Sequence, residues 1–155
     1  MNLFLVQHGQ AKREAEDPER GLTDAGAAAA EKMGKWLRAA GVEVAGIRHS
    51  GKRRAEQTAS LFAGQLSPPG GVAAAPGLNP KDDVGLAAEA LRETRDSLMI
   101  VGHLPFLTRL AGLLVAGDPD CEVVRFQNAG VVSLAEHEGR WSIEWVVVPD
   151  LVREV

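Results

Sequence analysis

Leu3-Phe4-Leu5-Val6-Gln7-His8-Gly9 is a short apolar run that stops abruptly at a histidine and a glycine. A run of this length, with a β-branched residue and a glycine to end it, reads as a buried strand. His8 then stands at the strand's carboxyl end, the edge at which open α/β sheets place their ligands. A second run, Ser97-Leu98-Met99-Ile100-Val101, also ends on a histidine, in Gly102-His103. Two buried strands, each delivering a histidine to the same rim, set both the fold and the place to look for chemistry.

Between these strands the chain alternates. Gln10 to Gly21 has no apolar period and reads as a loop over the rim, where loops commonly carry function. By position alone, Arg20 in that loop is a solvated charge. Thr23 is suited to cap a helix running to Ala40, with Asp24 in its first turn and Gly41 just past its end. Val42 to His49 is a second strand. Ser50 is expected to cap a helix from Lys52 to Leu66 that carries Arg53 and Arg54 in its first turn. Cations are disfavoured at a helix N-terminus unless an anion binds there; then the free N–H groups, the dipole and arginine favour the same ligand. The alternative is that Lys52-Arg53-Arg54 simply faces water.

Val72 to Ala75 reads as a third strand and Val84 to Thr94 as a helix. After the Gly102-His103 strand, Pro105 suits the first turn of a helix that Gly117 ends. Val123–Phe126, Val131–His137 and Trp141–Val148 are strand-like. Glu138-Gly139-Arg140 joins the last two as a hairpin. Trp141, Ile143 and Trp145 are expected on one face of the last strand. The pattern predicts a single domain over residues 1–155. It is a three-layer α/β/α sandwich, with a mostly parallel central sheet and an antiparallel edge.

Composition sets outer limits. The chain has 155 residues, 45% hydrophobic and 25% charged, which places it among ordinary globular domains with a core of their own. A net charge of −4 implies no general attraction to nucleic acid. One cysteine, Cys121, excludes an internal disulfide framework and a cysteine-based zinc cage. No signal peptide and no membrane span are legible, so a cytoplasmic location is expected. There is no G-x-x-x-x-G-K-[ST] loop, and no G-x-G-x-x-G after the first strand, to support a nucleotide-binding domain.

Three motifs in order resemble the histidine phosphatase superfamily, whose fold is phosphoglycerate mutase-like. Val6-Gln7-His8-Gly9 resembles its Arg-His-Gly signature. Ser50-Gly51-Lys52-Arg53-Arg54-Ala55-Glu56-Gln57-Thr58 resembles its serine, arginine and Ala-x-Gln-Thr motif. Gly102-His103-Leu104-Pro105 resembles the motif of its second histidine. The short length and Arg20-Gly21-Leu22-Thr23-x-x-Gly26 are similar to the SixA-type phosphohistidine phosphatases of that family. The resemblance implies that His8 takes the phosphoryl group. It also implies that Arg54 binds the phosphate oxygens, that Arg20, Gln7 and Gly9 assist, and that His103 flanks the phosphate. It implies no metal and no cofactor. The substrate would be a phosphohistidine-bearing protein, such as a histidine phosphotransfer domain or a phosphocarrier. Physical chemistry agrees: neutral imidazole is a nucleophile near pH 7, and arginine's planar fork matches phosphate oxygens. The two imidazoles are expected to face one another across a pocket sized for a tetrahedral oxyanion.

Gln7 departs from the family pattern. It can donate a hydrogen bond to phosphate but cannot neutralise charge, and Lys12, Arg13, Lys52 and Arg53 are the cations nearby in sequence. This keeps a second reading open, a phosphate- or phosphoprotein-binding module with weak or no turnover. A phosphoglycerate mutase-like or sugar-phosphate role calls for substrate-enclosing insertions that this chain lacks. No general acid is assigned; Asp82 and Asp83 read as solvated loop carboxylates. His49 and His137 read as structural or surface residues.

Overall fold

The run Leu3–Val6 lacks polar alternation because both faces of its strand are covered. In the structure, a computed structural model describing residues 1–153, β1 (Asn2–Gln7) lies inside a six-stranded sheet. Phe4 and Val6 point to one face and Leu3 and Leu5 to the other, and all four are buried.

The elements that follow are α1 (Asp24–Ala39), β2 (Gly46–His49), α2 (Arg53–Leu66), β3 (Val72–Ala74) and α3 (Val84–Arg92). Then come β4 (Leu98–Gly102), α4 (Phe106–Ala116), β5 (Val131–His137), β6 (Arg140–Val147) and a short 3-10 helix at Pro149–Leu151. The strand order is β3-β2-β4-β1-β5-β6; the first four strands are parallel, and β5 and β6 form the antiparallel edge. Helices α1 and α2 cover the face of Phe4, Val6, Met99 and Val101. Helices α3 and α4 cover the face of Leu3, Leu5 and Ile100. The expected sandwich is observed.

The topology creates the crevice. After β1 the chain crosses to the α1 face; after the neighbouring β4 it crosses to the α4 face. Adjacent strands whose connections leave in opposite directions open a cleft at their carboxyl ends.

Several boundaries differ from expectation. β2 begins only at Gly46 because its partner β4 begins at Leu98, opposite Gly46. Lys52, not Ser50, occupies the cap position of α2, without a side-chain cap bond; Gly51, at φ +91°, separates the serine from the helix. Pro105 precedes α4 rather than entering it. Val123–Phe126 is not a strand. Its half-buried Val123, Val124 and Phe126 pack on the α3/α4 side instead. Trp141 and Ile143 also lie on that side, but Trp145 packs on Phe4 and Trp36 of the opposite face. A bulge between Ser133 and Leu134, with Glu144 as the extra residue, moves Trp145 across the sheet. Asp83 caps α3 by accepting from the Gly85 N–H at 2.8 Å, and Asp82 accepts from the Asn79 N–H at 2.8 Å. Both carboxylates are thus engaged in local turns.

Candidate active site

Strand register builds the site. Gln7 of β1 lies opposite Gly102 of β4, and the His8 N–H donates to the Gly102 carbonyl at 3.0 Å. The next residue on each strand is a histidine, so His8 and His103 emerge side by side. Their ring centroids are 5.1 Å apart at an interplanar angle of 50°. At that spacing the rings touch, which corrects the expectation that they face one another across a pocket for an oxyanion. A phosphoryl group has to approach along their shared edge. His49 of β2 pairs with Val101, which brings Ser50, one residue on, beside His103. The Ser50 hydroxyl meets His103 Nε2 at 2.6 Å.

Each ring has a defined hydrogen-bond partner. His8 Nδ1 lies 2.7 Å from the Gly9 carbonyl, which can only accept, so Nδ1 carries the proton and Nε2 keeps its lone pair. Burial lowers the His8 pKa below 6.5, the Gly9 carbonyl opposes that shift, and the Arg54 and Arg20 charges add to it. His103 is 2% exposed and is pushed down to about 3, first by burial and then by His8, Arg54, Lys52 and Arg20. Both imidazoles are neutral at pH 7.

Arg54 stands in the first turn of α2, half-buried. Burial and Arg20 press on its charge, but a guanidinium remains protonated. Arg20 holds a left-handed backbone, φ +51°, and its Nε donates to the Lys12 carbonyl at 3.2 Å. A cleft of about 560 Å³ opens beside these groups, lined by Arg20, Lys52, Arg53 and Arg54 and rimmed by Glu14, Glu19 and Glu56. Among the described residues, the buried side-chain polar atoms without a hydrogen-bond partner are Gln7 Oε1, Arg54 Nε and His103 Nδ1. All three belong to this one site. Orphaned buried polar groups are costly; an anionic ligand satisfies the Arg54 Nε–H and a protonated His103 Nδ1, whereas the Gln7 oxygen needs a donor or a turned amide.

The other predicted residues divide. Gly9 is buried and its N–H already donates to Thr58 Oγ1 at 2.9 Å, which leaves it no free donor for a phosphate. A Cβ at Gly9 would lie 2.9 Å from the Gly26 carbonyl oxygen, and one at Gly26 would lie 2.2 Å from that of Gln10. Glycine at both places lets the end of β1 pack against the start of α1. Of the four nearby cations, Arg13 pairs with Glu16 at 2.9 Å and Arg53 with Glu19 at 3.6 Å. Lys12 acts on Asp17, while the charge of Lys52 reaches His103. His49 is buried and accepts from the Gly51 N–H at 3.0 Å, a structural role as expected.

Sequence reasoning missed three supports. Ser50 read as a helix cap. Thr58 is a lone polar residue among the apolar positions Ala55, Ala59 and Phe62, a signal that it is satisfied internally; it donates to the Arg54 carbonyl at 2.7 Å. Asn128 Nδ2 donates to the His8 carbonyl at 2.9 Å from a stretch with no pattern to mark it. Among the described residues, no cluster of three His, Cys, Asp or Glu side chains is arranged to hold a metal. None of the described helices is long and apolar enough to cross a membrane.

Paired neutral imidazoles and an orphaned guanidinium at a strand rim are the features on which comparison with known proteins bears. The chain belongs to the histidine phosphatase superfamily, whose branch 1 family model matches residues 3–79. It is accordingly a hydrolase of the phosphatase class. Within that class it is similar along nearly its whole length to SixA-type chains. It is 28% identical to the phosphohistidine phosphatase SixA of Escherichia coli strain K12, over 96% of this chain and 94% of that one. The structure of the protein histidine phosphatase SixA complexed with tungstate superposes with a TM-score of 0.86 at 29% identity, covering 97% of this chain and 99% of that one. A SixA candidate from Agrobacterium tumefaciens shares the fold, with a TM-score of 0.78 at 20% identity over 96% and 97% of the two chains.

Proposed function

We propose that the protein removes phosphate from a phosphohistidine carried by another protein, through a covalent phospho-His8 intermediate. The observation that carries this reading is the unprotonated His8 Nε2, set beside His103 and Arg54 with both basic rings neutral at pH 7. His8 Nε2 attacks phosphorus as the N–P bond of a phosphohistidine protonated on its other ring nitrogen breaks; the bonding pair leaves with the partner's imidazole, which departs neutral, and phospho-His8 keeps its proton on Nδ1. Water then attacks the phospho-His8 phosphorus, the N–P pair returns to Nε2, and inorganic phosphate departs with the proton balance supplied by that water. Arg54, Arg20 and Gln7 hold the phosphoryl oxygens, and His103 flanks them. Phosphoryl transfer needs positioning and charge neutralisation more than covalent assistance, which suits this set. An imidazole leaving group needs less protonation than an alkoxide, in keeping with Asp82 and Asp83 being tied into turns.

The shallow, open cleft suits a protein-borne phosphohistidine better than a small enclosed ester. The partner class is therefore a histidine phosphotransfer domain or a phosphocarrier. A second reading, a module that holds phosphate with little turnover, is favoured by the single neutral residue Gln7. The test is phosphate release from a purified phosphohistidine-bearing protein. Release by the parent and its loss in His8→Ala is the expected result. No release by the parent, or release unchanged in His8→Ala, overturns the proposal. Phosphate binding without release, together with turnover gained in Gln7→Arg, selects the second reading.

A further inference from the structure

We propose that Ser50 is a positioning residue for this transfer, which it rests on: its hydroxyl donates to His103 Nε2 and so places the ring proton on Nδ1, facing the phosphoryl oxygens. The argument is one of hydrogen-bond accounting. The Ser50 Oγ to His103 Nε2 distance of 2.6 Å holds one proton, which belongs either to the hydroxyl or to the ring. The Lys52 backbone N–H donates to the same Ser50 Oγ at 3.3 Å. With an acceptor site of the oxygen filled in this way, the serine's own proton is free to point at Nε2, and the donor left for a bound ligand is the ring's Nδ1–H. In the opposite arrangement Ser50 accepts from both neighbours, and its hydroxyl proton is left with no acceptor in this contact set.

The far nitrogen decides the consequence. His103 Nδ1 is buried and has no partner in the protein. The charged groups that act on this ring are Arg54 and Lys52 from the α2 side and Arg20 from the rim loop, with His8 beside it just past β1. No carboxylate is among them, so nothing stabilises an imidazolium, and the ring is a neutral donor–acceptor whose sense Ser50 sets. A phosphoryl oxygen accepts hydrogen bonds only. An Nδ1–H therefore joins the orphaned Arg54 Nε–H as a donor to it, whereas a bare Nδ1 lone pair would repel it. The two histidines thus carry their protons to opposite uses. The Gly9 carbonyl holds the His8 proton away from the lone pair that attacks; Ser50 frees the His103 proton for the group that is transferred.

The tautomer is read directly by 15N NMR of the His103 ring in the intact protein, between pH 6 and pH 8, with and without inorganic phosphate. The expected spectrum has a protonated Nδ1 and an unprotonated Nε2, retained when phosphate binds. Ser50→Ala should mix the tautomers and lower kcat on phosphohistidine roughly two- to tenfold, the worth of one hydrogen bond, with a smaller change in KM. Ser50→Thr, which keeps the hydroxyl, should preserve both. A parent spectrum with the proton on Nε2 overturns the proposal, as does a Ser50→Ala protein whose tautomer shifts while kcat does not. If Ser50→Ala fails to fold, the parent spectrum and Ser50→Thr still decide. Failure of the phosphatase reading would show as absent turnover in the parent, and it leaves the spectrum as an independent measure.

Discussion

Gln7→Arg puts a guanidinium at the last residue of β1, where the chain departs from its family. Gln7 lies opposite Gly102, next to His8, and its Oε1 is buried without a partner. Two opposing terms set the outcome. With phosphate bound, a charge-assisted contact replaces a neutral one and gains about 1.5–3 kcal/mol, or roughly ten- to a hundred-fold in affinity. Without phosphate, a further cation joins Arg54 and Arg20, which already act on His8. At an effective dielectric near 20 and a separation of about 6 Å, one such like-charge pair costs roughly 3 kcal/mol before salt screening. The variant should melt below the parent in phosphate-free buffer and recover as phosphate is added, because a ligand stabilises the state it binds. If the contact strengthens in the transition state, turnover on phosphohistidine should rise about 10²–10³-fold. Calorimetric titration with inorganic phosphate, melts with and without it, and single-substrate kinetics measure all three. A variant that binds phosphate no tighter and turns over no faster refutes the reasoning, since Gln7 would then not face the phosphoryl group.

Two further outcomes follow from the same contacts. Thr58→Val removes the buried acceptor of the Gly9 N–H and the donor to the Arg54 carbonyl, and should cost about 1–3 kcal/mol. In a chain of this size that lowers Tm by roughly 2–4 °C per kcal/mol, with weakened phosphate binding as His8 and Arg54 loosen; differential scanning calorimetry and phosphate titration check it. Acid should destabilise the protein earlier than carboxylate titration explains. His8, His49 and His103 are all held below 6.5, burial being the largest cause for each. The native state keeps them neutral while the unfolded chain takes up protons. Their contribution is therefore complete above pH 6.5 and is lost as pH falls, for His103 down to about 3. Urea unfolding between pH 6.5 and 5 should show stability falling by up to about 1.4 kcal/mol per pH unit for each such histidine, and His103→Asn should reduce the slope. A flat profile in both proteins contradicts it.

The strands that matter most were legible because burial on both faces removes polar alternation and leaves bare apolar runs, as in Leu3–Val6 and Leu98–Val101. Helix ends were legible where the chemistry is local, as with the Thr23 cap, whose oxygen accepts from the Gly26 N–H at 2.9 Å, and Gly41 at φ +77°. Val123–Phe126 misled because an apolar stretch does not reveal whether it pairs into a sheet or packs over one of its faces. Trp145 misled because a bulge reverses the inside–outside count and leaves no mark in composition.

Residue types, their order and the rim to which His8, Arg54 and His103 belong were written in the amino-acid string, since strand and helix periods are local properties. Tertiary structure alone settled that His8 and His103 touch, that Ser50 turns from its helix to a ring 53 residues away, and that Gly9 is spent on Thr58. Those facts depend on the register of β1, β4 and β2, which is fixed by how the two apolar layers interlock across the whole sheet and not by any neighbouring residue.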